Sequence, residues 1–305
     1  MQIGFIGFGE VASTISKKLL DNNVDVLTSL KDRSKKTRKL ANDLGINVVN
    51  NFEEVALSSD ILISATSPYE SLELSKKYGT LVDGIFLDLN NISPKTTLEI
   101  ENNFKNQRDI NSSFVKGVII GKISSEKSVI YVSGQNSNKL SILNTYGFNI
   151  NVLSHNVVDA SYIKMIRSIY TKSLTAITYE AFKISESLSM SDEFFEVLSI
   201  TEGDNFEIQA KSRINSLKNS HKRKYEEMSE ILNFLEDMQN SINNESFNNI
   251  KSSNNIKSSN NSESSNNIKS SNDTKNHNNT RNSNNFKNYL MIEATKNKFK
   301  EIDNI

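Results

Sequence analysis

The sequence contains no cysteine, only two prolines and only three histidines in 305 residues. Without cysteine the chain can form no disulfide, no thiolate zinc site and no cysteine nucleophile. The histidines, His155, His221 and His277, are not spaced as metal ligands, so no metal site is predicted. Histidine is so scarce that a catalytic acid or base has to be sought among the lysines and tyrosines.

The chain also lacks an excess of charge of either sign and lacks long apolar runs. Its 36 basic and 36 acidic side chains cancel, so neither nucleic acid nor an anionic membrane surface is an expected partner. No apolar run approaches the roughly 18 residues of a membrane span, and an apolar strand occupies the place that a signal peptide would need. The sequence therefore predicts a soluble, cytoplasmic protein whose partner is a small-molecule substrate.

The beginning of the chain combines an apolar strand, a glycine-rich turn and a helix. Residues 2–6 have the pattern of a buried parallel strand, and Gly7, Gly9 and Ala12 follow with the spacing G-x-G-x-x-A. Gly7 permits a tight turn, Gly9 leaves room for a phosphate beside the backbone, and Ala12 allows close packing of helix on strand. This pattern predicts a dinucleotide site at the helix N-terminus. A purely structural turn and a site for S-adenosylmethionine are the alternatives.

Strand and helix patterns alternate through the first half of the chain. Strands are predicted at residues 24–29, 46–49, 61–65 and 85–89, and helices at residues 35–44 and 51–57. Pro68 and Pro94 each follow a strand and begin a helix, at the sheet edge where α/β proteins bind ligands. The alternation predicts an α/β fold with a doubly wound, mainly parallel sheet, the Rossmann fold, in residues 1–155. Further strands are predicted at residues 110–115, 129–133 and 149–153, with a helix at residues 137–146.

From residue 157 the apolar pattern is helical, which predicts an all-helical C-terminal domain over residues 156–305. After a first long helix, helices are predicted at residues 191–198, 205–217, 222–238 and 289–300. An Asn/Ser-rich segment at about residues 243–288 interrupts this domain, and Asn-Asn recurs there every six residues. One apolar residue per repeat cannot fill a β-helix core, so the segment is predicted to be a disordered insert.

The end of the second strand indicates which cofactor is preferred. In NAD-binding Rossmann proteins, an acidic side chain about 20 residues past the glycines holds the ribose 2′-hydroxyl. Here Ser29 stands in that place and is followed by Arg33, Ser34 and Lys35, while Asp32 is the only nearby acid. A hydroxyl and two cations suit a 2′-phosphate, so NADP is predicted in preference to NAD. The alternative is that these cations are only the solvated start of a helix.

A helix after the predicted domain boundary carries candidates for proton transfer, which accompanies hydride transfer. Lys164, Arg167, Ser168 and Lys172 are spaced to share roughly one helical face. They predict a basic substrate site that favours an anionic substrate. The alternative is a solvated basic stripe without a function.

Four segments of the sequence carry a family resemblance. They are GFIGFGEVA at residues 4–12, DLNNISP at residues 88–94, GVIIG at residues 117–121 and YIKM at residues 162–165. In this combination the chain resembles the 6-phosphogluconate and 3-hydroxyisobutyrate dehydrogenase superfamily of β-hydroxyacid dehydrogenases. It is most similar to a poorly characterised branch of NAD(P)-dependent oxidoreductases with a helical C-terminal domain. The likeness covers about residues 1–240 and the last helix.

The resemblance implies roles for individual residues. Lys164 would be the catalytic general acid and base at the oxygen or nitrogen of the substrate, and Ser93 would lie in the loop below the nicotinamide. The residues that the motif, the cation pattern and the resemblance assign to the cofactor are Gly7, Phe8, Gly9, Glu10, Val11, Ser29, Arg33, Thr66, Ser67, Pro68, Asn90 and Ser93. The candidate substrate contacts are Gly117, Arg167, Ser168 and Lys172. Arg167 and Ser168 stand where the hydroxyacid enzymes have asparagines, which leaves the substrate itself open.

These observations predict an NADP-dependent oxidoreductase that transfers hydride between NADP(H) and a small carbonyl, hydroxy acid or imine compound. The alternative is a non-catalytic NADP-binding protein that serves assembly or sensing. Long amphipathic helices in the second domain, and dimerisation of related proteins through this domain, predict a homodimer.

Overall fold

The structure, a computed structural model, describes residues 1–107, 111–259 and 289–302, and for residues 219 and 241–259 it describes the backbone alone. The chain divides into two compact units, Met1–Ser168 and Ile169–Ile305. This division falls later than the boundary predicted near His155. The reason is that Val157 and Val158 are buried in the core of the first unit, so the chain leaves that unit only after the next helix has begun.

The first unit contains one sheet of eight strands in the order β3-β2-β1-β4-β5-β6-β7-β8. The strands are β1 Gln2–Ile6, β2 Asp25–Ser29, β3 Asn47–Val49, β4 Ile61–Ser64, β5 Ile85–Asp88, β6 Ser113–Ile120, β7 Val129–Ser133 and β8 Ile150–Ser154. All neighbouring pairs are parallel except β6 and β7, which are antiparallel. The predicted doubly wound, mainly parallel Rossmann sheet is therefore confirmed.

Helices connect these strands. They are α1 Glu10–Leu20, α2 Lys35–Asp43, α3 Phe52–Leu57, α4 Pro68–Tyr78 and α5 Pro94–Asn106, with 3₁₀ helices at Gly79–Leu81 and Ser137–Tyr146. The four residues of β4 and the four of β5 are all buried, as expected for strands covered on both faces. The chain order reverses between β1 and β4, and open α/β sheets bind ligands beyond the carboxyl ends of the strands at such a point.

Apolar side chains pack on both faces of the sheet. Ile3 and Phe5 belong to the core on one face, whereas Phe86 belongs to the core on the other. There the ring centroid of Phe86 lies 5.7 Å from that of Phe104 and 6.1 Å from that of Phe114. Alternate residues of the strands thus supply two separate cores, one on each face of the sheet.

The second unit is helical wherever it is described, as predicted. Its helices are the later part of α6 Asp159–Ser187, then α7 Ser191–Glu202, α8 Phe206–Ser259 and α9 Leu290–Glu301. Phe182 of α6 packs against Phe194 and Phe195 of α7, with ring centroids 5.7 and 5.4 Å away. Thr295 of α9 donates a hydrogen bond of 3.1 Å to Ser173 of α6.

Two predictions of element boundaries were wrong. The strand predicted at residues 110–115 lies at Ser113–Ile120, and residues 108–110 are outside the described part. The helices predicted at residues 205–217 and 222–238 form one helix, α8. The polar residues between them do not break it, and the side chains of Ser220 and His221 are accommodated by hydrogen bonds to carbonyls of the preceding turn.

Helix α8 also runs to Ser259, and so it enters the segment predicted to be disordered from about residue 243. A helix that has formed adds one hydrogen bond per residue at little cost, so a polar composition alone does not end it. The rest of the insert, residues 260–288, lies outside the described residues, and its disorder stays a prediction. Within the described residues, no helix is long and apolar enough to cross a membrane.

Candidate active site

The turn between β1 and α1 has the geometry of a phosphate cradle. Gly7 has φ +87°, and a Cβ on it would lie 2.6 Å from the carbonyl oxygen of Ala65, so no other residue fits there. A Cβ on Gly9 would meet no atom within 4 Å. Gly9 is the N-cap of α1, and no described side chain caps this helix. Open space therefore adjoins a helix N-terminus whose N–H groups can receive an anion.

The other predicted residues of this turn have different surroundings. Phe8 is buried in the core, and its ring packs edge to face on Phe5 with centroids 6.2 Å apart. Only the main chain of Phe8 is therefore left to face a ligand. Glu10 is exposed in the first turn of α1, and Val11 is partly buried against the core.

The end of β2 contains a buried hydroxyl and a stacked arginine. The Oγ atom of Ser29 accepts a hydrogen bond of 3.4 Å from the N–H of Lys31. The guanidinium carbon of Arg33 lies 5.1 Å from the ring centroid of Phe52. The Nε atom of Arg33 is buried, yet it has no hydrogen-bond partner among the described residues. A buried N–H donor without an acceptor is costly, so this position suits an anionic ligand such as a 2′-phosphate.

The loops that follow β4 and β5 are joined to each other. The N–H of Thr66 donates to Oδ1 of Asn90 at 2.6 Å, and the methyl carbon of Thr66 lies against the Gly7 turn, 2.6 Å from where a Cβ of Gly7 would be. Ser67 precedes Pro68 and donates from Oγ to Glu70 at 2.8 Å, which fixes the start of α4. The structure thus brings the predicted turn and both predicted loops together at one edge of the sheet.

Ser93 begins α5, where its Oγ accepts from the N–H of Thr96 at 3.1 Å. The carbonyl oxygen of Ser93 accepts from Oγ of Thr97 at 3.0 Å, and that Oγ lies 3.0 Å from Oγ of Ser161 in α6. Ser161 is one turn before Lys164, so hydrogen bonds connect the start of α5 to the stretch of α6 that carries the lysine. This connection lies entirely within the first unit.

The first turns of α6 are anchored to the sheet. Oγ of Ser133, at the end of β7, donates to the carbonyl of Val157 at 2.7 Å and accepts from the N–H of Ala160 at 2.9 Å. Lys164 is half-buried in the following turn, Arg167 is exposed and Ser168 is half-buried. The anchor therefore fixes the position of Lys164 relative to the sheet.

Two of the candidate substrate residues have structural contacts instead. Lys172 is nearly buried in the second unit, and its Nζ lies 2.5 Å from a carboxylate oxygen of Glu227, so its charge is neutralised. Gly117 is buried in β6, where a Cβ would lie 2.7 Å from Leu89. Its lack of a side chain is explained by packing.

Sequence reasoning missed a buried ion pair beside the two loops. Lys116 of β6 and Asp88 of β5 are register partners, both are fully buried, and Nζ lies 2.7 Å from the carboxylate. Burial lowers the pKa of Lys116, and the charge of Asp88 opposes this shift. Asp88 also accepts from Ser71 at 2.5 Å. Lys116 lies just beyond the strand predicted at residues 110–115, between apolar residues on both sides, and this setting was a sequence signal of a buried lysine but did not identify Asp88 as its partner.

Fold and site together define a Rossmann protein with a dinucleotide cradle and a lysine-bearing helix. A family model described as "NADP oxidoreductase coenzyme F420-dependent" matches residues 2–91. A relative from Methanothermus fervidus, an uncharacterized 28.5 kDa protein in the 7S RNA 5′ region, is 43% identical over 235 residues, which are 77% of this chain and 91% of the relative.

Two solved structures are also similar. One is a conserved protein of unknown function whose structure is described as similar to 3-hydroxyacid dehydrogenases. It is 36% identical, has a TM-score of 0.67, and the match covers 78% of this chain and 90% of that one. The other, 3-hydroxyisobutyrate dehydrogenase from Salmonella typhimurium, is 13% identical with a TM-score of 0.63 over 78% of this chain and 88% of that one, which shows a common fold.

The chain thus has the fold of the NAD(P)-dependent hydroxyacid dehydrogenases, and the family model that matches residues 2–91 is one of oxidoreductases. The chain belongs to the family of the Methanothermus fervidus protein, and the likeness of its fold to the hydroxyacid dehydrogenases agrees with the resemblance that its sequence motifs carry.

Proposed function

We propose that the protein is an NADP-dependent oxidoreductase that interconverts a small carbonyl or imine compound and its reduced form, an alcohol, a hydroxy acid or an amine. The observation that carries this proposal is the combination of the open turn at Gly9 with the unpartnered donor of Arg33. The first fits a pyrophosphate and the second fits a 2′-phosphate, so the residues present suit NADP. When bound, this cofactor supplies or accepts the hydride.

The cofactor-binding roles follow from these positions. The main chain from Gly7 to Val11 would hold the pyrophosphate, and Ser29 with Arg33 would hold the 2′-phosphate. The loop from Thr66 to Pro68, with Asn90 and Ser93, would line the nicotinamide half of the cleft. The match of the family model to residues 2–91 supports this assignment for the first part of the cleft.

Lys164 would hold and move the proton at the oxygen or nitrogen of the substrate. Its half-buried position, and the hydrogen bonds from the start of α5 to Ser161, support this role. Arg167 is exposed one turn away from Lys164, so it is a better candidate than Lys172 to bind an anionic group of the substrate. Lys172, which is paired with Glu227, contributes less charge than the sequence suggested.

The cofactor is tested first, by thermal shift with NADPH, NADH and S-adenosylmethionine. We expect NADPH to raise Tm most, because only NADPH carries the 2′-phosphate that Arg33 would bind. A larger shift with S-adenosylmethionine would contradict the oxidoreductase assignment at this site.

The reaction is tested with a panel of ketones, imines, semialdehydes and coenzyme F420, with oxidation of NADPH as the signal. F420 is included because the description of the matching family model names it. Lys164→Ala should reduce turnover by about 10²–10⁴-fold, the usual contribution of a general acid or base, while the affinity for NADPH stays unchanged. Binding of NADPH without oxidation by any compound would favour the non-catalytic assembly or sensing protein. The homodimer and the cytoplasmic location belong to the same proposal.

A further inference from the structure

The buried ammonium of Lys116 is bonded mainly to the last residue of β5 and to the turn that follows it. Its Nζ donates to the carboxylate of Asp88 at 2.7 Å, to the carbonyl of Asp88 at 3.0 Å and to the carbonyl of Asn90 at 2.7 Å. A fourth contact, of 2.9 Å, reaches the carbonyl of Gly117. Both the ammonium and the carboxylate are fully buried. Lys116 therefore fixes the end of β5, through the side chain and the carbonyl of Asp88, and the loop that follows, through the carbonyl of Asn90.

Asn90 extends this network to the next loop. Its Nδ2 donates to the carboxylate of Asp88 at 2.8 Å and to Oγ of Ser64 at 2.9 Å, while its Oδ1 accepts from the N–H of Thr66. Both amide hydrogens of Asn90 are thus used within the protein. A continuous chain of hydrogen bonds runs from Lys116 on β6, across β5, to the loop after β4.

A buried ion pair is a poor way to gain stability, since desolvation of two charges offsets much of their attraction. An apolar pair would fill the same space between β5 and β6. The ion pair instead fixes the loop in one conformation, because Lys116 is bonded to specific carbonyl oxygens and Asn90 to specific partners. Those partners belong to the loops assigned above to the cofactor, at the carboxyl edge of the sheet.

We propose that Lys116 is a positioning residue for the cofactor cleft: through Asp88 and Asn90 it holds the loops after β4 and β5 in the conformation that binds the dinucleotide. The effect of this loop positioning on nucleotide binding rests on the proposed function, whereas the positioning itself does not. In this proposal Lys116 itself contacts neither the cofactor nor the substrate.

The test compares two variants of the full chain that each remove one donor from Asp88. Lys116→Met removes the ammonium, which also bonds to the carbonyl of Asn90. Ser71→Ala, the matched control, removes a donor that reaches only the carboxylate. Amide exchange at Thr66 and Asn90 and the Kd for NADPH are measured well below the unfolding temperature of each variant. Lys116→Gln, which keeps two donors, replaces Lys116→Met if the latter does not fold.

In Lys116→Met we expect amide exchange at Thr66 and Asn90 to accelerate by about tenfold or more, and the Kd for NADPH to rise by about tenfold. Ser71→Ala should change both by less than about twofold. A lower Tm with unchanged exchange and unchanged Kd would reduce Lys116 to a purely structural role and overturn the proposal. If the wild-type chain binds no NADPH, the proposed function fails, and the exchange at Thr66 and Asn90 alone decides whether Lys116 positions the loops.

Discussion

At the scale of the residue, the role proposed for Arg33 depends on how its side chain is held. Its guanidinium lies over the ring of Phe52, so little side-chain freedom remains to be lost on binding. Its Nε is buried without a partner among the described residues, and a phosphate oxygen would satisfy it. The discrimination between NADPH and NADH should therefore depend on this residue.

We expect Arg33→Ala to raise the Kd for NADPH by about tenfold or more, because a charge-assisted hydrogen bond contributes ~1.5–3 kcal/mol. The Kd for NADH should change little, since NADH has no phosphate at this position. Fluorescence titration measures both constants. Lys36→Ala, which removes an exposed cation of α2, serves as the control for general electrostatics. An equal loss for both nucleotides would show that Arg33 does not read the 2′-phosphate.

Some residues of the site could be predicted from sequence and others could not. Gly7 and Gly9 were predictable, because their spacing after an apolar strand is itself the signature of the turn. Lys116 was not, because its partner Asp88 is 28 residues away and only the parallel register of β5 and β6 brings the two together. Pairing across strands leaves no local periodic signal in the chain.

At the scale of the element, the β1–α1 turn contains two glycines with different reasons for being glycine. Gly7 needs its positive φ and has no room for a Cβ, whereas Gly9 has φ −94° and open space beside it. Folding explains the first. Packing does not require the second, and under the proposed function it leaves room for a phosphate at the N-terminus of α1.

We expect Gly9→Ala to leave Tm nearly unchanged, since its backbone conformation is open to any residue, but to raise the Kd for NADPH by about tenfold or more. Gly7→Ala should instead lower the free energy of unfolding by ~1–3 kcal/mol from the backbone alone. Thermal unfolding and nucleotide titration of both variants separate the two effects. Unimpaired binding of NADPH by Gly9→Ala would be evidence against a phosphate in this turn.

Helix α8 carries three carboxylates close together, Glu226, Glu227 and Glu230. Desolvation by the neighbouring side chains, and then the charges of Glu227 and Glu226, raise the pKa of Glu230 above its usual value of 4.5, although Glu230 is still exposed to solvent. A carboxyl group whose pKa is raised by folding destabilises the folded state once the pH exceeds its unfolded pKa, because the folded chain then binds more protons than the unfolded chain.

We therefore expect Glu230→Gln to raise Tm modestly at pH 7, where ionisation of this carboxyl group is less favourable in the folded chain than in the unfolded chain. The difference from the wild type should shrink as the pH falls towards 4.5 and vanish below it, where both side chains are neutral. Glu226→Gln should give a smaller gain of the same sign, since Glu226 is the last of the three causes. Helical circular dichroism followed on heating at several pH values measures the differences, and a gain that does not depend on pH would exclude this electrostatic cause.

At the scale of the whole molecule, the alternation of strands and helices was enough to predict the Rossmann sheet and the helical second part. The division between the compact units was not predictable in the same way. Apolar residues around Val157 look alike whether they pack on the sheet or on other helices, and the structure buries them in the first unit. An apolar sequence pattern predicts that a residue is buried, but it does not predict which element the residue packs against.

The exposed face of α6 bears on the assembly of the whole molecule. Tyr170, Ile177 and Ile184, all in the second unit, are each at least half exposed, and their spacing of seven residues puts them on one side of the helix. A row of large apolar side chains in water is unfavourable, and a second copy of the same face across a two-fold axis would cover it.

We expect Ile177→Glu to convert the predicted homodimer into a monomer, because two buried carboxylates would then face each other near the axis. Light scattering after size exclusion measures the mass of each variant. The matched control is Leu57→Glu, which alters an equally apolar and 63% exposed side chain of α3 in the first unit, and which should leave the mass unchanged. A wild-type chain that is monomeric at micromolar concentration, or a dimer that persists in Ile177→Glu, would show that this face of α6 is not the interface.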